Sequence, residues 1–146
     1  MPALPGALAL GFDFGLRRIG VAAGDTVTQA ATPLAAVRCG DGGPDWPVLD
    51  RLLGDYRPTV LVVGYPYNDD GTAGELAGAA SGFAAALGQR YGLPVERVDE
   101  RFSSQEASAE LRAQRAAGTR RRRVQREDVD SLAAAIILER WLRGEL

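Results

Sequence analysis

The chain opens with short uncharged runs and later turns to stretches in which apolar residues recur every three or four positions. Residues 7–14 form a near-continuous apolar run of strand length. Residues 18–23 (Arg-Ile-Gly-Val-Ala-Ala) predict a second strand, close enough in sequence to pair with the first as a hairpin. A third, shorter strand is predicted over 32–37, followed by a turn cluster at 40–44. Val48, Leu49, Leu52 and Leu53 then fall at helical spacing within 47–56, and Arg57-Pro58 ends that helix. Residues 59–63 (Thr-Val-Leu-Val-Val) carry no charge and suit a central strand covered on both faces. The turn formers of 64–71 predict a loop. An Ala-rich helix is expected over 74–91, stopped by Gly92 and Pro94, and a strand over 95–99. Ser103 with Glu106 three residues later is a capping box, opening a helix that runs to Ala117. Residues 119–126 form a basic loop, and 128–142 the last helix. A hairpin followed by strand–helix alternation describes an α/β domain with a mixed sheet.

Length adds that 146 residues form a single domain, 1–146, with one core. The apolar stretch at 4–10 is too short to span a bilayer and lacks a basic flank, so no membrane segment or signal peptide is expected. The single cysteine, Cys39, rules out an internal disulfide and fits a reducing, cytoplasmic location. There is no histidine, which excludes Ser-His-Asp and Cys-His catalysis and every His-containing zinc site. Catalysis would therefore rest on carboxylates, hydroxyls, Arg, Tyr or a hard cation held through oxygen.

Net charge is −2, yet charge is segregated. Seven arginines and no acid lie between Arg112 and Arg126, among them Arg120, Arg121, Arg122 and Arg123. A basic segment on an acidic body is an electrostatic footprint for nucleic acid, although a solvated loop has the same composition.

Three acids complete the picture. Asp13 closes the first apolar run, Glu100 follows the 95–99 run, and Asp130 lies in the first turn of the last helix. In open α/β sheets, sites form beyond the carboxyl ends of parallel strands. Carboxylates converging there repel one another, and Mg²⁺ or Mn²⁺ relieves that repulsion while activating water. Each acid also has an ordinary structural explanation: a turn cap for Asp13, a surface pair with Arg101 or Arg97 for Glu100, a helix dipole for Asp130. Asp128 rivals Asp130 as the third ligand and is the better placed N-cap. Arg17 and Arg18, in the first hairpin turn, would sit near Asp13. Tyr65, in the loop after the central strand, is placed either to stack on bases or to pack on the core.

These residues resemble the YqgF/RuvX family, RuvC-like proteins associated with Holliday junction resolution and with pre-16S ribosomal RNA processing. The resemblance rests on Phe-Asp-Phe-Gly-x-x-Arg-Ile-Gly-Val-Ala at 12–22, Val-Val-Gly-Tyr-Pro-Tyr-Asn-Asp-Asp-Gly-Thr at 62–72, Asp-Glu-Arg-Phe-Ser-Ser-Gln-Glu-Ala at 99–107 and Asp-Ser-Leu-Ala-Ala-Ala-Ile-Ile-Leu at 130–138. It implies an RNase H-like fold, a mixed five-stranded sheet flanked by helices. It also implies Asp13, Glu100 and Asp130 as the acidic motif, and in-line hydrolysis by metal-activated water. Related RNase H-like nucleases carry an acid on the central strand; residues 59–63 have none, so Glu100 would substitute.

Three functions compete. The first is a metal-dependent endonuclease on structured RNA or branched DNA, with Arg17, Arg18, Arg101, Arg120 to Arg123 and Tyr65 contacting the nucleic acid. The second is a non-catalytic RNA-binding module for ribosome assembly. The third is a phosphotransferase using Asp13-Phe14-Gly15 for phosphates, which would need a second domain. Symmetric nicking of a four-way junction calls for a homodimer, whereas trimming an RNA end needs only a monomer.

Overall fold

The computed structural model describes residues 7–65, 75–99 and 126–144, with the single positions 109 and 113. Strand β1 (Leu8–Asp13) is buried along almost its whole length. It pairs antiparallel with β2 (Arg18–Asp25), in a register running from Leu8 opposite Asp25 to Asp13 opposite Gly20. The expected hairpin is therefore present. Strand β3 (Ala31–Gly40) pairs antiparallel with β2 and is longer than the sequence suggests.

The turn cluster at 40–44 is itself a hairpin. Gly40 pairs with Gly43 and Cys39 with Pro44, leaving Asp41-Gly42 as the two-residue loop to β4 (Gly43–Pro44). The sheet consequently has six strands, not five, in the order β4-β3-β2-β1-β5-β6.

Helix α1 (Trp46–Tyr56) begins where the Asp45 side chain accepts from Val48 N–H, and ends at Arg57, in the left-handed region at φ 47°. Strand β5 (Val60–Tyr65) runs parallel to β1 and continues through Gly64 to Tyr65, two residues past the expected end. Tyr65 is thus a strand residue paired with Asp99, not a loop residue. Helix α2 (Glu75–Tyr91) leads to β6 (Val95–Asp99), which is parallel to β5. The expected helix after Ser103 lies outside the described residues, apart from Ala109 and Ala113, which are helical.

The last helix, α3 (Arg126–Leu142), starts two residues earlier than expected. Arg126 and Glu127 are good helix formers, and they carry the first turn upstream. Asp130 is therefore in the second turn, and Asp128 lies inside the helix, not at its cap.

The alternation of side chains builds two layers on the sheet. Leu10, Phe12, Ile19, Val21, Leu61 and Val63 pack with Leu49 of α1 and Ala80, Phe83 and Leu87 of α2. On the other face, Ala9, Ala22, Val62 and Val98 pack with Ala134, Ile137 and Leu138 of α3. No helix among the described residues is long and apolar enough to cross a membrane.

Candidate functional site

The parallel strands β1, β5 and β6 end on one edge of the sheet, and Asp13 is the last residue of β1. By strand alternation, Asp13 shares the α3 face with Ala9 and Gly11. The residue is only 9% exposed. Across the sheet, Asp13 has Gly20 on one side and Gly64 on the other, and Val98 stands beyond Gly64. Both immediate neighbours therefore lack a side chain.

Gly20 serves a second purpose. A Cβ at this position would collide with the backbone carbonyl of Asp130. Gly11 and Gly24 also lie under α3: a Cβ on Gly11 would come 3.0 Å from Leu138 Cβ, and one on Gly24 2.8 Å from Leu138 Cδ2 and Leu142 Cδ1. Ala133, Ala134 and Ala135 provide a matching small-residue surface on the helix. The β1–β2 ribbon and α3 approach closely because the ribbon presents only glycine at Gly11, Gly20 and Gly24.

Polar contacts fix the helix along its length. Arg18 Nε donates to Asp130 Oδ2 at 3.0 Å. Val21 N–H donates to the Ser131 hydroxyl at 3.4 Å, beside the register shift between Ile19 and Val21. Further along, Ala31 N–H donates to Glu139 Oε2 at 3.1 Å. Arg18 is therefore the partner of Asp130. Arg17 is exposed in the turn.

The described residues thus bring Asp13 and Asp130 to one edge, joined through Gly20. Glu100 directly follows Asp99, the last residue of β6, and β6 is two strands from β1, about 10 Å. Glu100, Arg101, Arg120, Arg121, Arg122 and Arg123, and the side chains of Tyr65 and Asp128, lie outside the described residues. Among the described residues no three acids are grouped to hold a metal ion. Carboxylate oxygens are nonetheless the donors that a hard cation such as Mg²⁺ or Mn²⁺ takes. Gly20 and Ser131 shape this edge; they lie inside the blocks at 12–22 and 130–138, but the sequence alone assigns them no role. The small residues on the sheet face, Gly11, Gly20, Ala22 and Gly24, are the available signal.

The opposite face carries a different cluster. Arg90 donates twice to Asp50, at 2.8 and 2.7 Å, and Tyr91 Oη donates to Asp50 at 2.7 Å. The Arg90 guanidinium also lies 5.1 Å from the Trp46 ring centroid. These contacts hold the Asp50 carboxyl down at about 2, chiefly through the Arg90 hydrogen bonds. The cluster ties α1 to the end of α2.

A six-stranded mixed sheet between helical layers, with an acid at the end of its first strand, is the RuvC-like variant of the RNase H fold. Solved structures agree. The Thermus thermophilus RuvC bound to a Holliday junction aligns with a TM-score of 0.54 at 18% identity, covering 94% of each chain. The fowlpox virus resolvase in complex with Holliday junction DNA aligns at 0.56 and 11% identity, over 95% of this chain and 99% of that one.

At the level of sequence the chain belongs to the RuvX family, whose family model, described as a Holliday junction resolvase, matches residues 7–144. A Coxiella burnetii protein named "Putative pre-16S rRNA nuclease" is 46% identical over 138 residues, covering 94% of each chain. A Xanthomonas oryzae protein of the same name is 45% identical, over 95% of this chain and 89% of its own length.

Proposed function

We propose that this chain is a Mg²⁺- or Mn²⁺-dependent endonuclease that hydrolyses phosphodiester bonds in structured nucleic acid, either a ribosomal RNA precursor or a four-way DNA junction. The observation that carries this reading is Asp13. It is a carboxylate almost fully buried at the end of β1, flanked by two glycines, with Asp130 seated over one of them. The carboxyl edge of parallel strands is where α/β sheets build their sites, and a cation bound there favours the charged form of such an acid. The names of the RuvX family and of its relatives support the same reaction class.

Asp13, Glu100 and Asp130 hold the cation in this reading, with Asp128 as the alternative third ligand. When bound, the cation lowers the pKa of water and stabilises the leaving oxygen. The chain's own residues orient and bind. Gly20 and Ser131 set the height of Asp130 over the sheet, and Arg18 fixes its carboxylate. Arg17, Arg101 and Arg120 to Arg123 contact phosphates without reading bases. Tyr65 closes β5 beside the site.

The test is a cleavage assay of the wild type and Asp13→Asn on a pre-16S RNA fragment and a four-way DNA junction, with Mg²⁺, Mn²⁺ or EDTA. Metal-dependent cutting by the wild type, lost in the variant while binding persists, is the expected outcome. Binding without cutting by the wild type, under every metal condition, would instead favour a non-catalytic RNA-binding role in ribosome assembly. The Arg18–Asp130 pair would then be purely structural. Symmetric cutting of the junction would further require a homodimer, which sedimentation of the complex reads directly.

A further inference from the structure

Between Asp13 and Arg18 the chain turns through Phe14, Gly15, Leu16 and Arg17, and three of these four are tied down, Phe14 by its ring and Gly15 and Arg17 by their backbone carbonyls. The half-buried Phe14 packs on Phe83 with ring centroids 5.2 Å apart. Gly15 C=O accepts from Cys39 Sγ at 3.7 Å, and Arg17 C=O accepts from Cys39 N–H at 2.8 Å. Gly15 is required here, because a Cβ would come within 2.6 Å of the Arg18 carbonyl. Leu16 remains outside, 69% exposed.

A single exposed leucine is ordinary on a protein surface. This one differs in position and rigidity. Among the described residues only Leu16 and Val27 are large hydrophobics left exposed, and Val27 lies beyond the other end of β2, away from Asp13. Leu16 is three residues from Asp13, on a turn clamped to β3, with Arg17 beside it. A side chain held out by a rigid turn costs little ordering when it meets a ligand. Apolar side chains beside phosphate-binding cations are how proteins engage a base that has left its stack.

We infer that Leu16 is a substrate contact that packs against an unstacked nucleobase next to the phosphodiester presented to Asp13. Arg17 takes a neighbouring phosphate. The turn thereby selects nucleic acid with a branch, bulge or loop at the cleavage point over continuous duplex. This inference rests on the proposal that the Asp13 edge engages nucleic acid.

The experiment uses the full chain, a four-way DNA junction and a stem–loop RNA, each carrying 2-aminopurine in turn at every branch-point or loop nucleotide. Binding is followed in Ca²⁺ by anisotropy and by 2-aminopurine fluorescence, and cleavage in Mg²⁺. Leu16→Ala should raise Kd and KM about tenfold, the size of one lost leucine contact, with kcat changed less than about threefold. It should also abolish the fluorescence change at one position, and Leu16→Phe should restore it. Leu16→Ala with wild-type Kd and wild-type fluorescence would overturn the inference. A wild type that never cuts, with Leu16→Ala still losing binding and the fluorescence change, would sink the nuclease proposal and leave this contact standing. A wild type that cuts, with Leu16→Ala indistinguishable from it, would do the reverse.

Discussion

Gly20 lies directly beneath the backbone carbonyl of Asp130, so the height of α3 over the sheet is set by the absence of one Cβ. The atoms that would collide belong to backbone, not to a flexible side-chain end. Gly20→Ala must therefore move the helix, and overpacking of this kind costs about 1–3 kcal/mol. Urea denaturation should register that loss. Cleavage, measured well below the melting temperature, should fall further than stability alone explains, because Asp130 moves with the helix. Full activity in the Gly20→Ala variant would remove Gly20 from the positioning of Asp130.

Metal binding should be visible in the fold itself. A ligand that binds only the native state stabilises it by about 2.7 kcal/mol at a concentration about 100 times its Kd. Titrating Mn²⁺ should raise the Tm of the wild type and leave that of Asp13→Asn unchanged. Equal rises in both would place the cation away from Asp13.

Replacing Arg120, Arg121, Arg122 and Arg123 together by alanine should flatten the salt dependence of binding. Each phosphate contact contributes a slope of about 0.9 in log K against log salt on duplex DNA, so the slope should shrink by about three to four. The loss should be uniform across sequences, since phosphate contacts carry no base information. An unchanged slope would make this segment a solvated loop.

The Asp50–Arg90–Tyr91 cluster gives a pH signature remote from the site. The Asp50 carboxyl ionises at about 2 in the folded chain, against an ordinary value of 3.8. A depressed folded value stabilises the fold above the unfolded value and is lost as pH falls through the folded one. The stability gap between wild type and Asp50→Asn should therefore be full above about pH 4 and close towards about pH 2. The pair is solvent-exposed, so the gap should be small and shrink with added salt. A gap that is constant over this range would exclude the ion pair as its cause.

Local patterns carried much of the architecture. The β1–β2 hairpin, β6 and α2 follow from runs and breakers that act over a few residues. The boundaries that differ from the sequence pattern have equally local causes. Gly64 and Tyr65 precede Pro66 and resemble a turn, but pairing with Val98 and Asp99 holds them in β5. Asp41-Gly42 is a hairpin signal that a Gly/Pro cluster obscured. The site was legible only as a set of residue types. Arg18 and Asp130 are 112 positions apart, and nothing local to either announces their ion pair. Gly11, Gly20 and Gly24 read singly as turn or bulge residues. Only the register, which puts Gly11 and Gly20 on the α3 face, turns them into a seat for a helix.

The contact between β2 and α3 also orders events in time. At a synthesis rate of about 5–20 residues per second, the ribosome makes Asp13 roughly 6–23 seconds before it makes Asp130. During that interval the glycine-lined face of β1 and β2 has no helix to cover it, and the Asp13 edge lacks one wall. Under the proposed function, the nuclease site is therefore incomplete while the chain is being made. Asp130 reaches its place over Gly20 only when α3 docks.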